Sequence, residues 1–173
     1  DDEAKKLYAE SADKNMIDKD EYPATAAIED RCWRMLADLW NVPDTKDTIG
    51  TSTIGSSEAC MLGGLALKRL WQHKRQAEGK STEKPNLIFG GDVHVVWEKF
   101  CRYFDVEPRI VPLQPDKYTI GPEDIEPHVD DNTIGVAAVV GTTFTGHADD
   151  VVGINDYLVG RREQDGLDVP LHI

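Results

Sequence analysis

The run Gly55-Ser56-Ser57-Glu58-Ala59 is the stretch of this chain best suited to chemistry. A glycine lets a ligand approach the backbone closely, and two hydroxyls follow at the mouth of a long helical segment. The first N–H groups of a helix have no partner inside it and carry partial positive charge. Together these features suit a phosphate dianion. As an isolated pentapeptide the run reads more simply as a helix N-cap, with Ser56 or Ser57 contributing about 1 kcal/mol. The rest of the chain has to decide between cradle and cap.

Other constellations are weaker. His94 and Glu98 stand four apart on a helical segment, as a metal pair could, but no third ligand is evident and no metal is expected. His147, Asp149 and Asp150 follow a glycine, and a cap on the next helix is the better reading of either aspartate. Cys32, Cys60 and Cys101 are odd in number and widely spaced, with no CxxC or metal-type pairing. They read as small buried hydrophobes in a reducing cytoplasm rather than as nucleophiles.

Composition bounds what these residues can serve. A chain of 173 residues, 40% hydrophobic and 29% charged, is expected to fold as one domain with a sizeable core. Its formal net charge of -13 repels nucleic acid and anionic lipid, so neither is an expected partner. A small anion remains possible, because backbone dipoles act at close range whatever the net charge. The longest apolar run, Ile134 to Val140, suits a buried strand and not a membrane span. The opening Asp1-Asp2-Glu3 has neither the basic segment nor the apolar stretch of a secretion signal. It also lacks a Met, so the native start is expected to lie elsewhere.

The elements that must position the site can be read from periodicity. Ala24 to Trp40 predicts a helix with Ile28, Cys32, Met35, Leu36, Leu39 and Trp40 on one face, ended before Pro43. A loop from Asp44 to Gly55 precedes a second helix over about Ser57 to Gln76, acidic at its start and basic at its end. Strands are then expected at Asn86–Phe89, Glu107–Leu113, Ile134–Val140 and Val169–Ile173. Helices are expected at His94–Phe104, Gly121–Val129 and Asp149–Gln164. Such alternation predicts an α/β architecture with a mostly parallel sheet flanked by helices. Ligands in such folds sit at the C-terminal edge of the sheet.

Four motifs, in order, carry a family resemblance. Gly50-Thr51-Ser52-Thr53-Ile54-Gly55-Ser56-Ser57-Glu58-Ala59-Cys60-Met61-Leu62-Gly63-Gly64 resembles the phosphate-loop segment of glutamate decarboxylases. Upstream, Ile17-Asp18-Lys19-Asp20-Glu21-Tyr22-Pro23 is similar to another signature of that family. Downstream, Val95-Val96-Trp97-Glu98-Lys99-Phe100 and Gly141-Thr142-Thr143-Phe144-Thr145-Gly146 match in order and spacing. The similarity runs from about Asn15 to Ile173. It tips the reading of Ser56 and Ser57 from cap to cradle.

The resemblance implies part of an aspartate-aminotransferase-type (fold type I) large domain that binds pyridoxal 5'-phosphate. Residues 1–44 would form an N-terminal segment on the substrate side, and 45–173 the first part of the cofactor-binding domain. Ser56 and Ser57 would bind the cofactor phosphate, His94 would stack on its ring, and Thr143 would lie near it. Many bacterial and plant members carry Gln where this chain has His94. Asp18 would help form the pocket for the far carboxyl group of L-glutamate, often across a subunit boundary. The implied reaction converts L-glutamate to 4-aminobutyrate and carbon dioxide, in the cytoplasm, in a homodimer or larger homo-oligomer. No catalytic residue is implied within the chain. The Schiff-base lysine and the ring-nitrogen aspartate are expected beyond Ile173, so these residues alone are not expected to turn over. His73-Lys74, the chain's one His-Lys pair, reads as the charged last turn of a helix. A related decarboxylase of another amino acid, or a non-catalytic cofactor-binding fragment, stands as the alternative.

Overall fold

A computed structural model describes residues 1–43 and 48–173. It divides into two compact units, Asp1–Ile54 and Gly55–Ile173. The division expected between residues 44 and 45 lies outside the described residues.

The first unit begins with a helix that periodicity did not predict, α1 (Asp2–Ser11). Asp1 caps it by accepting from Ala4 N at 2.7 Å. Every one of its residues is exposed, so no apolar stripe announces it. The next helix, α2 (Pro23–Leu39), matches expectation to within a residue and opens on a proline, which suits a first helical position. Its apolar face is not core, however. Ile28, Met35, Leu36, Leu39 and Trp40 are exposed, as is Cys32, and Ala37 is the buried residue of the helix. Ile28, Cys32 and Leu36 instead line a groove of about 310 Å³ with Met16, Trp33 and Ser52. Glu29 ties the segment around Ser52 to α2, its Oε1 accepting from Ser52 N at 2.7 Å and Ser52 Oγ at 2.8 Å.

The second unit is a three-layer α/β sandwich, as expected. Its strands are β1 (Asn86–Gly90), β2 (Glu107–Val111), β3 (Thr133–Ala137) and β4 (Leu171–His172). They lie in the order β2-β1-β3-β4, and every pairing is parallel. Helices α3 (Ser56–Ala77) and α4 (Val96–Tyr103) cover one face. Helices α5 (Pro122–Ile125) and α6 (Val151–Asp165) cover the other. Along β1 the side chains alternate accordingly. Leu87 and Phe89 join Trp71, Trp97 and Phe100, while Ile88 joins Ile125, Ile154 and Leu158. A sheet buried on both faces explains why β1 and β3 read as continuous apolar runs.

Boundaries differ from expectation for local reasons. Strand β3 stops at Ala137 because the chain turns into a loop in which Val140 bridges antiparallel to Ala148. Helix α6 begins at Val151 because Asp150 caps it, accepting from Gly153 N at 3.0 Å. Helix α5 is a single turn that continues as a 3-10 turn over Glu126–His128. From β1 the chain passes through α4 to β2 on one side, and from β3 through α6 to β4 on the other. The connections therefore part at the C-terminal ends of β1 and β3, the position at which open α/β sheets form their ligand crevice.

Candidate cofactor site

Helix α3 carries Ser56 and Ser57 to that crevice, as three contacts along its length show. Trp71 Nε1 donates to the carbonyl of Asp131, just before β3, at 2.9 Å. One turn earlier Leu67 packs so closely on β3 that a β-carbon on Gly135 would lie 2.8 Å from its Cδ1. One turn earlier again Gly63 faces His172, which pairs with Ala137 at the far end of β3. The helix thus runs antiparallel to the strand. Ser56 lies seven residues further on, roughly 10 Å at the rise of an α-helix, beyond the sheet's C-terminal edge.

The mouth of α3 fits a phosphate group. Gly55 precedes it in an extended conformation, and a β-carbon built there would meet nothing within 4 Å. Ser56 and Ser57 are both exposed in the first turn. Two hydroxyls and the positive end of a 22-residue helix therefore face open space.

His94 lies in the loop that leaves β1 and is exposed. Its Nδ1 accepts from Val96 N at 3.2 Å, which orients the ring and makes α4 start at Val96 rather than at His94. Holding that acceptor leaves the Nε2 side of the ring for a ligand. Thr143 lies in the loop that leaves β3, on an exposed tip beside Phe144. Gly141 and Gly146, at φ 97° and 71°, make the two turns that bring this loop back on itself. His147 O accepts from Gly141 N and Thr142 N, and the Thr142 and Thr145 hydroxyls lie 2.7 Å apart. Loops from the adjacent strands β1 and β3, and the mouth of α3, thus carry His94, Thr143, Ser56 and Ser57 to one edge.

Asp18 belongs to the first unit, where its Oδ1 accepts from Glu21 N at 3.2 Å in the turn before α2. It is exposed.

Three residues near this edge were given no part in the site by the sequence. Asp149 is buried and caps no helix. Its Oδ1 accepts from Ile120 N at 2.9 Å and its Oδ2 from Val139 N at 2.7 Å. Burial pushes its carboxyl above the ordinary range, against the pull of those two N–H groups, and the Asp92 and Asp124 charges add to the rise. Asp92, two residues before His94, has a buried Oδ2 with no hydrogen-bond partner among the described residues. His172 packs edge-on against Trp97, ring centroids 4.9 Å apart, and burial pushes its imidazole below the usual value. A sequence signal existed only for Asp149, and Asp150 performs the capping that signal suggested.

The pyridoxal-dependent decarboxylase conserved domain matches residues 4–173. The chain belongs to that family. It is 52% identical to a glutamate decarboxylase of Aliivibrio fischeri, over 99% of this chain and 37% of that protein. Glutamate decarboxylase 1 of Arabidopsis thaliana is 47% identical over 99% of this chain and 34% of its own length. The solved Lactobacillus brevis glutamate decarboxylase superposes with a TM-score of 0.92 at 40% identity, covering 99% of this chain and 40% of that one. The chain therefore spans little more than a third of the curated relatives it matches. The decarboxylase resemblance of the four motifs and the fold type it implied are both borne out.

Proposed function

We propose that the protein is a glutamate decarboxylase that converts L-glutamate to 4-aminobutyrate and carbon dioxide, and that this chain contributes its phosphate cradle. The observation that carries the reading is the delivery of Ser56 and Ser57 by α3 to the edge where the His94 and Thr143 loops emerge. Bound pyridoxal phosphate supplies an electron sink for the pair left behind when carbon dioxide departs. The residues of this chain do the holding. Ser56, Ser57 and the N–H groups of the first turn of α3 bind the phosphate, His94 covers the ring, and Thr143 closes from the β3 side. Residues 1–44 serve the substrate side and 45–173 the cofactor side. Asp18 belongs to the pocket for the distal carboxyl group, where one of the two acids must carry a proton or share a donor.

The reading includes a homodimer or larger assembly in the cytoplasm. The exposed apolar side chains of α2 support the assembly, and the free cysteines among the described residues support a reducing compartment. No helix among the described residues is long and apolar enough to cross a membrane.

The test uses the full-length protein with added pyridoxal phosphate. Its intact mass is taken before and after borohydride reduction, and carbon dioxide release is followed with L-glutamate, aromatic amino acids and cysteine sulfinate. One cofactor fixed per chain and release from L-glutamate alone are expected. No fixed cofactor, or preferred release from another amino acid, would overturn the proposal.

A further inference from the structure

We infer that Asp149 is a positioning residue for the cofactor site, a carboxylate clamp that closes the neck of the Thr143 loop and docks it beside β1; this rests on the functional reading above. The loop leaves β3 at Val139 and returns at Asp149, and the two residues meet twice. Val139 N donates to Asp149 Oδ2 at 2.7 Å, and Asp149 N donates to Val139 O at 2.9 Å. The remaining carboxylate oxygen takes Ile120 N at 2.9 Å, while Asp150 N donates to Ile120 O at 3.0 Å. The neck is thus closed on itself and fastened to the residue that leads into α5.

Ile120 in turn sits against the end of β1, where a β-carbon on Gly90 would lie 3.3 Å from both Ile120 Cγ2 and Asp92 Oδ1. One buried side chain therefore ties the loop bearing Thr143 to the strand end from which the His94 loop departs. Inside the loop the two hydroxyls of Thr142 and Thr145 and the paired amides on His147 O keep the tip in shape. None of those bonds sets where the tip stands relative to the sheet. With the backbone bonds Asp149 N to Val139 O and Asp150 N to Ile120 O, the Asp149 carboxylate does, because among the described residues it is the one side chain that joins Val139 to Ile120. A short carboxylate suits the task, since it accepts from two N–H groups at once and needs no donor.

Asp149→Asn keeps the shape but turns one acceptor into a donor, leaving a buried N–H facing an N–H. With the full-length protein, this variant is expected to bind pyridoxal phosphate on the order of tenfold more weakly. The circular dichroism that the bound cofactor acquires from its site should also change, while Ser56 and Ser57 still hold the phosphate. Unchanged affinity and an unchanged cofactor signal in a folded Asp149→Asn protein would overturn the inference. Wild-type protein that takes up no pyridoxal phosphate would instead overturn the functional reading, and this inference with it. Amide hydrogen exchange on the wild type provides a second measurement that does not depend on the variant folding. Strong protection at Val139 and Ile120 before cofactor is added is expected of a preformed clamp. Protection that appears only after cofactor binds would overturn it.

Discussion

Gly63 of α3 stands so close to the imidazole of His172 on β4 that a β-carbon at position 63 would lie 2.7 Å from His172 Cε1. The ring cannot simply step aside, because its other neighbour is Trp97 of α4, at 4.9 Å between ring centroids. Gly63→Ala therefore gains up to about 1 kcal/mol of helix propensity but overpacks a filled site at a cost of about 1–3 kcal/mol. The expected net effect, read by urea denaturation, is a loss of stability. Adding His172→Ala should make the Gly63→Ala change neutral or favourable, as a double-mutant cycle would show.

Burial of His172 also makes stability depend on acidity. Its folded value is depressed below the ordinary value of about 6.5. Between the two values the unfolded chain holds a proton that the folded one does not, so stability falls as pH drops below about 6.5. His172→Gln should flatten this part of the profile, measured by denaturation midpoints on either side of that pH. An identical slope in the variant would place the acid sensitivity elsewhere.

One substitution at two helical glycines should give opposite signs. A β-carbon on Gly64 would lie 2.8 Å from the ring of Phe100, which is fully buried. On α6, a β-carbon on Gly160 would meet nothing within 4 Å. Gly64→Ala is expected to destabilise by about 1–3 kcal/mol, and Gly160→Ala to stabilise by about 0.5–1 kcal/mol. Thermal unfolding of the two variants checks both.

At the mouth of α3, Ser57→Ala and Ser56→Ala remove hydroxyls that are exposed in the structure. Loss of a hydrogen bond to a charged phosphate is expected to weaken pyridoxal phosphate roughly 10- to 100-fold, with little change in stability. Titration of full-length protein with the cofactor, alongside a melting curve, separates the two effects. Equal affinity in both variants would return the run to a plain helix start.

The thiols should react in a definite order. Cys32 is exposed, Cys60 is half-buried with its thiol raised by burial, and Cys101 is buried with its thiol pushed up to about 12. Only thiolate reacts, so alkylation is expected first at Cys32 and at Cys101 only on unfolding. Peptide mass mapping over a time course reads the order directly.

Much of this protein was determined by the sequence itself. Alternating apolar strands and amphipathic helices specified a parallel α/β sandwich, because a sheet buried on both faces has to be written in continuous apolar runs. The position of Ser56 and Ser57 at the mouth of a long helix was legible because charge order and the preceding glycine mark a helix start locally, and the motifs around them carried the family. The tertiary structure decided what depends on partners distant in the chain. Periodicity reports that a face of α2 is apolar but not what covers it, so Ile28, Met35 and Leu39 could be placed on one face of a helix while only the fold shows that they stand exposed. Asp149 looked like a helix cap, since capping is local and a clamp between Val139 and Ile120 is not. The fit of Gly63 to His172 was invisible for the same reason: it exists only once α3 lies antiparallel on β3, with β4 alongside.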